Sequence, residues 1–249
     1  MDDKKPIAII AVAIVVFLAA GAWWMSRPKR VSQNATPSAV AGTDAPIDKS
    51  DAAPVNLPPL DQMDGFLRPL LSTLSSRPEL TRWLATDDLV GQLAVAIDQA
   101  SAGASPARDF KVIAPESRFV AGGRGSRRTI DPASYRRYDG LVQTVTSIDA
   151  ASVARIYKTI RPRLNEAYQR SGNPTGNVDN ALLKAVDILL DTPVVKDPIP
   201  VVEDGKAGWA YADEDLEDLM PTQKQLLRMG AANVERLLGW LRALKNALQ

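Results

Sequence analysis

The chain contains neither cysteine nor histidine among its 249 residues, and its formal net charge is only +1. The first absence excludes disulfides, thiol nucleophiles and thiolate zinc sites. The second removes imidazole metal ligands and the base of Ser–His–Asp chemistry. An enzyme built from this chain is left with carboxylate, Lys, Tyr or Ser chemistry, or a hard cation held through oxygen atoms. A lack of cysteine fits either side of a membrane, because disulfides are optional even where they are permitted. A balanced charge supplies no overall field toward nucleic acid, so any basic character is local. Hydrophobic residues at 45% and charged residues at 24% are those of a globular chain, and the length suits one or two domains.

Ile7 to Met25 reads IAIIAVAIVVFLAAGAWWM, without a charged side chain. As a helix it is about 28 Å long, close to the thickness of a bilayer's hydrocarbon core. Trp23 and Trp24 stand at its C-terminal end, where indoles favour the headgroup zone. Behind a short tail at 1–6, this predicts a single transmembrane helix at 7–25 rather than a buried core helix. A cleaved signal peptide competes with it, because Ala20-Gly21-Ala22 has the small-residue spacing of a cleavage site. The length of the apolar run, with Asp2 and Asp3 ahead of it, favours an uncleaved anchor. Lys4 and Lys5 precede the span and Arg27, Lys29 and Arg30 follow it, a count that alone favours a cytoplasmic C-terminal part. The tether and the usual behaviour of short-tailed N-terminal anchors favour an external one.

Residues 26–57 form a basic flank and then a tether rich in Ala, Pro, Ser, Asp and Thr, with no aromatic residue from Val31 to Leu57. Such a segment buries too little apolar area to offset the ordering of its backbone, and is expected to be disordered. As a flexible coil it spans roughly 30 Å on average. Asn34-Ala35-Thr36 matches a glycosylation sequon, which has meaning only in a eukaryotic secretory pathway and otherwise arises by chance.

From 58 to 249 the pattern is that of a mainly α domain of about eight helices with one or two short β-hairpins. Helices are expected over Gly65–Leu74, Pro78–Ala85, a stretch ending near Ala102 and capped from Thr86-Asp87-Asp88, Pro132–Ser147, a stretch after Asp149, and Val178–Leu190. Pro162 inside the fifth predicts a kink or a break. Gln223–Arg228 reads as a further helix that stops near Gly230. A C-terminal helix follows, with a stripe of Val234, Leu237, Leu238, Leu241, Leu244 and Leu248, which fits core packing or the docking of a partner. Ile199–Val202 and Ala207–Tyr211 read as a hairpin around Asp204-Gly205, and Phe110–Ile113 with Ser117–Ala121 as a second strand pair.

The stretch FVAGGRGSRRTIDPASYRRYDG, Phe119 to Gly140, fits neither a P-loop, which needs GxxxxGK[ST], nor the dinucleotide fingerprint GxGxxG. Gly122, Gly123 and Gly125 suit a tight loop. Asp131 suits an N-cap with Pro132 at the first helical position. Tyr135 and Tyr138, three apart, are expected to share a face and pack inward. Arg124, Arg127, Arg128, Arg136 and Arg137 are candidates for an anionic site that would take a phospholipid headgroup or polyanion. The alternative is a solvated cluster, or one paired internally with the acidic run Asp213, Glu214, Asp215, Glu217 and Asp218. That run fits a helix N-terminus and lacks the spacing of a calcium loop. Glu79, Asp88, Asp131, Glu166 and Asp179 are the candidates for a carboxylate-based hydrolase, which requires two of them close together with one raised in pKa.

Four landmarks resemble one family: RPELTRWLATDDLV (Arg77–Val90), DPASYRRYDGLV (Asp131–Val142), RPRLNEAY (Arg161–Tyr168) and PTQKQLLRMGAANVERL (Pro221–Leu237). In this order they are similar to a bacterial family known as domain of unknown function number 3014. The resemblance implies an N-terminal anchor, a Pro/Ala-rich tether and a place in the bacterial envelope. It implies no activity, cofactor, metal or catalytic residue. The combined expectation is a non-enzymatic binding or scaffold protein of the inner membrane, its domain on the periplasmic side. Its expected partners are the bilayer, through residues 7–25, and envelope proteins, with no nucleic acid.

Overall fold

The computed structural model describes residues 56–249 apart from 107–109, 111–113, 116, 126, 197, 206 and 207. The expected transmembrane helix at 7–25 and nearly all of the tether lie outside the described residues. Among the described residues no helix is long and apolar enough to cross a membrane.

A 3-10 turn at Leu60–Gln62 leads into α1 (Met63–Ser72), followed by α2 (Pro78–Leu84) and α3 (Leu89–Ser101). Two short strands, β1 (Ala121–Gly122) and β2 (Thr129–Ile130), precede α4 (Pro132–Arg136) and α5 (Asp139–Thr146). Then come α6 (Ala150–Arg170), α7 (Val178–Leu190), β3 (Val201–Glu203) and β4 (Trp209–Tyr211). The chain finishes with α8 (Glu214–Glu217), α9 (Pro221–Leu227) and α10 (Ala231–Leu248).

Local chemistry sets most helix starts. Asp131, Asp149, Asn177 and Asp213 each accept a backbone N–H from the first turn of the helix that follows. Asp88 does the same for α3, receiving Gly91 N–H at 3.1 Å, and takes a left-handed φ of 57° to do so. A side chain on Gly91 would lie 2.1 Å from that carboxylate, so any larger residue there would displace the cap. Asp64 of α1 accepts two more free N–H groups of α3, those of Asp88 and Leu89, both at 2.8 Å.

Helix α3 packs against α6 and α7, and α10 against α5, α6 and α7. The main core forms where they meet, with Leu93, Ile97, Ile160, Leu164, Val186 and Leu241 fully buried. The whole stripe of α10 expected to face inward is in this core, so none of it is left for docking a partner. A second, smaller core of Ile130, Tyr135, Ile199, Val201, Tyr211, Leu216 and Leu227 holds the β lobe together. Its two antiparallel ladders are joined: Thr129 bridges Pro200, Ile130 N–H donates to Ile199 O at 2.9 Å, and Val201 N–H donates to Arg128 O at 2.9 Å. The two hairpins, far apart in the chain, thus lie edge to edge in the order β1-β2-β3-β4.

Three expectations are corrected. The helix expected over 132–147 is two helices, broken at Arg137 and Tyr138. Tyr135 belongs to the small core and Tyr138 to the main one, so the chain has to turn between them and the two rings do not share a face. Helix α6 is one helix through Pro162, so the break expected there as an alternative to a kink does not occur. That residue is exposed, so solvent replaces the donor it lacks, while buried Ile160 and Leu164 hold the turns on either side. The second hairpin pairs Ala121 with Ile130 and Gly122 with Thr129 rather than joining 110–113 to 117–121. Residues 111–113 of that expected pair lie outside the described residues.

Candidate functional site

The glycine- and arginine-rich stretch is the connection of the β1–β2 hairpin. Gly123 and Gly125 take φ of 83° and 58°, and a Cβ on Gly123 would sit 2.2 Å from Arg127 O. The glycines therefore serve a tight backbone turn. Ser134 fastens this hairpin to α4: its hydroxyl accepts from Val120 N–H at 2.7 Å and donates to Val120 O at 2.9 Å.

The five arginines considered for an anionic site divide into two groups. Arg128 and Arg137 turn onto aromatic rings. Arg128 lies 5.0 Å from the Trp209 ring centre, with Glu203 at 3.7 Å. Arg137 stacks over Phe119 and Tyr138 at 5.6 and 4.9 Å. It also donates to Ser134 O at 3.0 Å, Ser117 O at 3.2 Å and the Tyr138 hydroxyl at 3.2 Å. Burial draws the Arg137 guanidinium below its ordinary pKa, Tyr138 opposes this, and the nearby cation of Arg228 adds to it. Arg228 shares Phe119 from 5.3 Å, lies 5.5 Å from the Tyr211 ring and donates to Trp209 O at 3.0 Å. Stacked cations thus rivet the β lobe to α9. Arg228 escaped the sequence reading because it is about 90 residues from Arg137 and no local pattern links them.

Arg124, Arg127 and Arg136 are exposed, and so is Arg118 just ahead of Phe119. None of these four makes an ion pair with a described residue. The acidic run does not serve the cluster either. Asp213 caps α8, and Glu217 accepts Tyr211 N–H at 2.8 Å and pairs with Lys224 at 2.8 Å. Burial drives the Tyr211 hydroxyl well above its ordinary pKa, which keeps it a neutral donor to Lys224 O at 2.8 Å.

A cleft of about 1010 Å³ opens beside α1, α3 and α6, and periodicity alone did not disclose it. Arg68 dominates its rim, donating to Leu84 O at 2.8 Å and Thr86 O at 2.7 Å while reaching Asp64 and Asp87 at 3.2 Å. Leu60, Val95 and Phe110 supply apolar wall. Asp64 and Arg68 are fully engaged in holding α1 to the start of α3. A smaller cleft of about 300 Å³ lies where α6 meets the start of α7. There Tyr157 donates a short hydrogen bond to Asp179, with Arg161 at 3.7 Å from the same carboxylate. Burial, reinforced by that acceptor, holds Tyr157 protonated far above its ordinary range.

The five carboxylates considered for hydrolysis stand on or cap five different helices, each with its own structural partners. Glu79 of α2 accepts from the Thr144 hydroxyl at 3.0 Å, and Asp88 and Asp131 are helix caps. Glu166 joins Arg163 and Arg170 at 2.8 and 2.6 Å, and Asp179 holds Tyr157 and Arg161. Among the described residues, no group of three or more Asp or Glu side chains is placed to hold a metal ion.

No curated protein and no solved structure matches the chain. One family model does match, over residues 89–245, which takes in α3 to α10 and both hairpins. The chain therefore belongs to the family described as protein of unknown function (DUF3014).

Proposed function

We propose that the protein is a non-enzymatic, membrane-tethered binding or scaffold protein of the bacterial envelope. A single helix at 7–25 anchors it in the inner membrane, and the domain from residue 58 onward stands on the periplasmic side. The observation that carries this reading is the uncharged apolar run Ile7–Met25 followed by a tether that cannot build a core. The end of the tether is secured: Arg163 of α6 donates to Pro58 O at 2.8 Å and Leu57 O at 3.2 Å. A pull on the tether is delivered into the longest helix of the domain. Asp64, Arg68, Asp88 and Asp179 in the two clefts are engaged in caps and helix contacts, which supports a non-enzymatic role.

The natural chain has no cysteine, so one placed at Ser38 reports the side of the membrane without background. Intact cells treated with a membrane-impermeant maleimide should label Ser38→Cys, and crosslinking in those cells should recover specific envelope proteins. Labelling only after lysis would place the domain in the cytoplasm and overturn the periplasmic assignment.

A further inference from the structure

The two hairpins β1-β2 and β3-β4, set edge to edge, have one covered face and one open one. Pairing of Ala121 with Ile130 and of Val201 with Tyr211 puts Ile130, Val201 and Tyr211 over the small core. Because side chains alternate along a strand, the register sends Val120, Thr129, Pro200, Val202 and Ala210 to the opposite side. Val120 and Val202 are 49% and 44% exposed, two of the few large apolar side chains that the described residues leave in solvent. Exposed arginines of the same lobe, whose guanidinium groups pair with no described residue, accompany them: Arg124 and Arg127 in the hairpin connection, Arg118 two residues ahead of Val120, and Arg136 on α4. Exposed apolar and cationic side chains together match the boundary between lipid headgroups and acyl chains.

The anchored reading above says which surface of that kind is always at hand. A coil of some thirty residues holds the domain within roughly 30 Å of the bilayer on average, at an effective concentration on the order of millimolar. Even weak contacts are then occupied. We infer that the open face of the two paired hairpins, together with Arg118, Arg124, Arg127 and Arg136, is the surface with which the domain lies against anionic lipid headgroups of its own membrane. The inference rests on the anchor at 7–25, and it makes the tether a means of holding the domain in one orientation rather than a free leash.

The test uses the full chain in vesicles of phosphatidylcholine alone or with phosphatidylglycerol. A donor dye is placed at Val202→Cys on the face, or at the exposed Ala243→Cys on α10, with an acceptor dye on the lipid headgroups. Transfer from position 202 should exceed transfer from 243 at least two-fold, and should rise with the phosphatidylglycerol fraction. It should fall to the level of 243 at about 0.5 M salt, where charges are screened within a few ångströms. Each Arg→Gln change at 118, 124, 127 or 136 should lower the docked-to-free ratio by roughly five-fold, and the fourfold variant should abolish docking. The side chains of those arginines bond to no described residue, so the fourfold variant should keep the native circular dichroism spectrum.

If the chain fails to float with vesicles after alkaline washing, the anchor is wrong and this inference falls with it. If the chain floats but transfer from 202 and 243 is equal, or is indifferent to lipid charge, the anchor stands and the docking face is wrong. Salt-sensitive protection of position 202 by an acidic protein, without dependence on lipid charge, would likewise overturn it in favour of a protein ligand.

Discussion

Two glycines of helix α10 should respond oppositely to the same substitution. Gly230 opens the helix with φ 80° and ψ 156°, a backbone region nearly closed to other residues and worth about 1–3 kcal/mol of strain. A Cβ there would also meet Cγ of Tyr135 at 2.8 Å and its Cβ and Cδ1 at 3.0 Å. Tyr135 is only 7% exposed and packs in the small core, so moving it costs a further 1–3 kcal/mol or so. Against this, alanine stiffens the unfolded chain by about 0.4–1 kcal/mol. Gly230→Ala is therefore expected to destabilise by roughly 1–5.6 kcal/mol, which lowers Tm by about 2–22 °C in a domain of this size. Gly239 lies two turns further on, exposed and helical, with nothing within 4 Å of an added Cβ. Gly239→Ala should stabilise by about 1 kcal/mol and raise Tm by about 2–4 °C. Thermal unfolding of the full-length proteins, followed by near-ultraviolet circular dichroism of the buried tryptophans, measures both. A Gly230→Ala protein that melts within about 2 °C of the parent, or shifts in the same direction as Gly239→Ala, would refute the account of the α9–α10 junction.

The hydroxyl and the N–H of Ser152, at 2.6 and 2.7 Å, hold the Asp149 carboxyl below its ordinary pKa, the hydroxyl bond contributing most. A lowered folded-state pKa adds stability above the unfolded value that is lost as pH falls through the folded one. Asp149→Asn should thus be less stable than the parent at pH 6, with the gap closing below the ordinary value of 3.8; a gap that persists at pH 2 would contradict this. Arg163→Ala removes both backbone anchors of the tether junction, so chymotrypsin should cut near Leu57 and Leu60 several-fold faster while Tm falls by no more than about 4 °C. Equal cleavage of parent and variant would show that the junction is held by something other than Arg163.

The legible parts of this protein are those whose cause lies within four residues. Asp88, Asp131 and Asp149 could be read as helix starts because a cap needs only a short side chain and the N–H groups two or three residues ahead. Val178–Leu190 emerged with its observed bounds because its apolar residues recur with one helical period and Asn177 caps them. The stripe of α10 was equally plain. Bounds failed where a partner elsewhere in the chain decides them. Nothing between 132 and 147 signals that Tyr135 and Tyr138 enter different cores, yet that division breaks the helix.

The arginine cluster shows the same limit from the functional side. The sequence by itself determined that five guanidinium groups fall within fourteen residues, next to a tight turn and a capped helix. It also determined that no cysteine or histidine chemistry is open to the chain. Which arginines face solvent was decided only by the tertiary structure. Trp209, Tyr211 and Arg228 arrive from 70 to 110 residues away and, with Phe119, draw Arg128 and Arg137 inward, leaving Arg118, Arg124, Arg127 and Arg136 outside. Caps and helical faces follow from local geometry, whereas the choice between a buried stacked cation and a free one depends on contacts across the fold that no spacing in the sequence records.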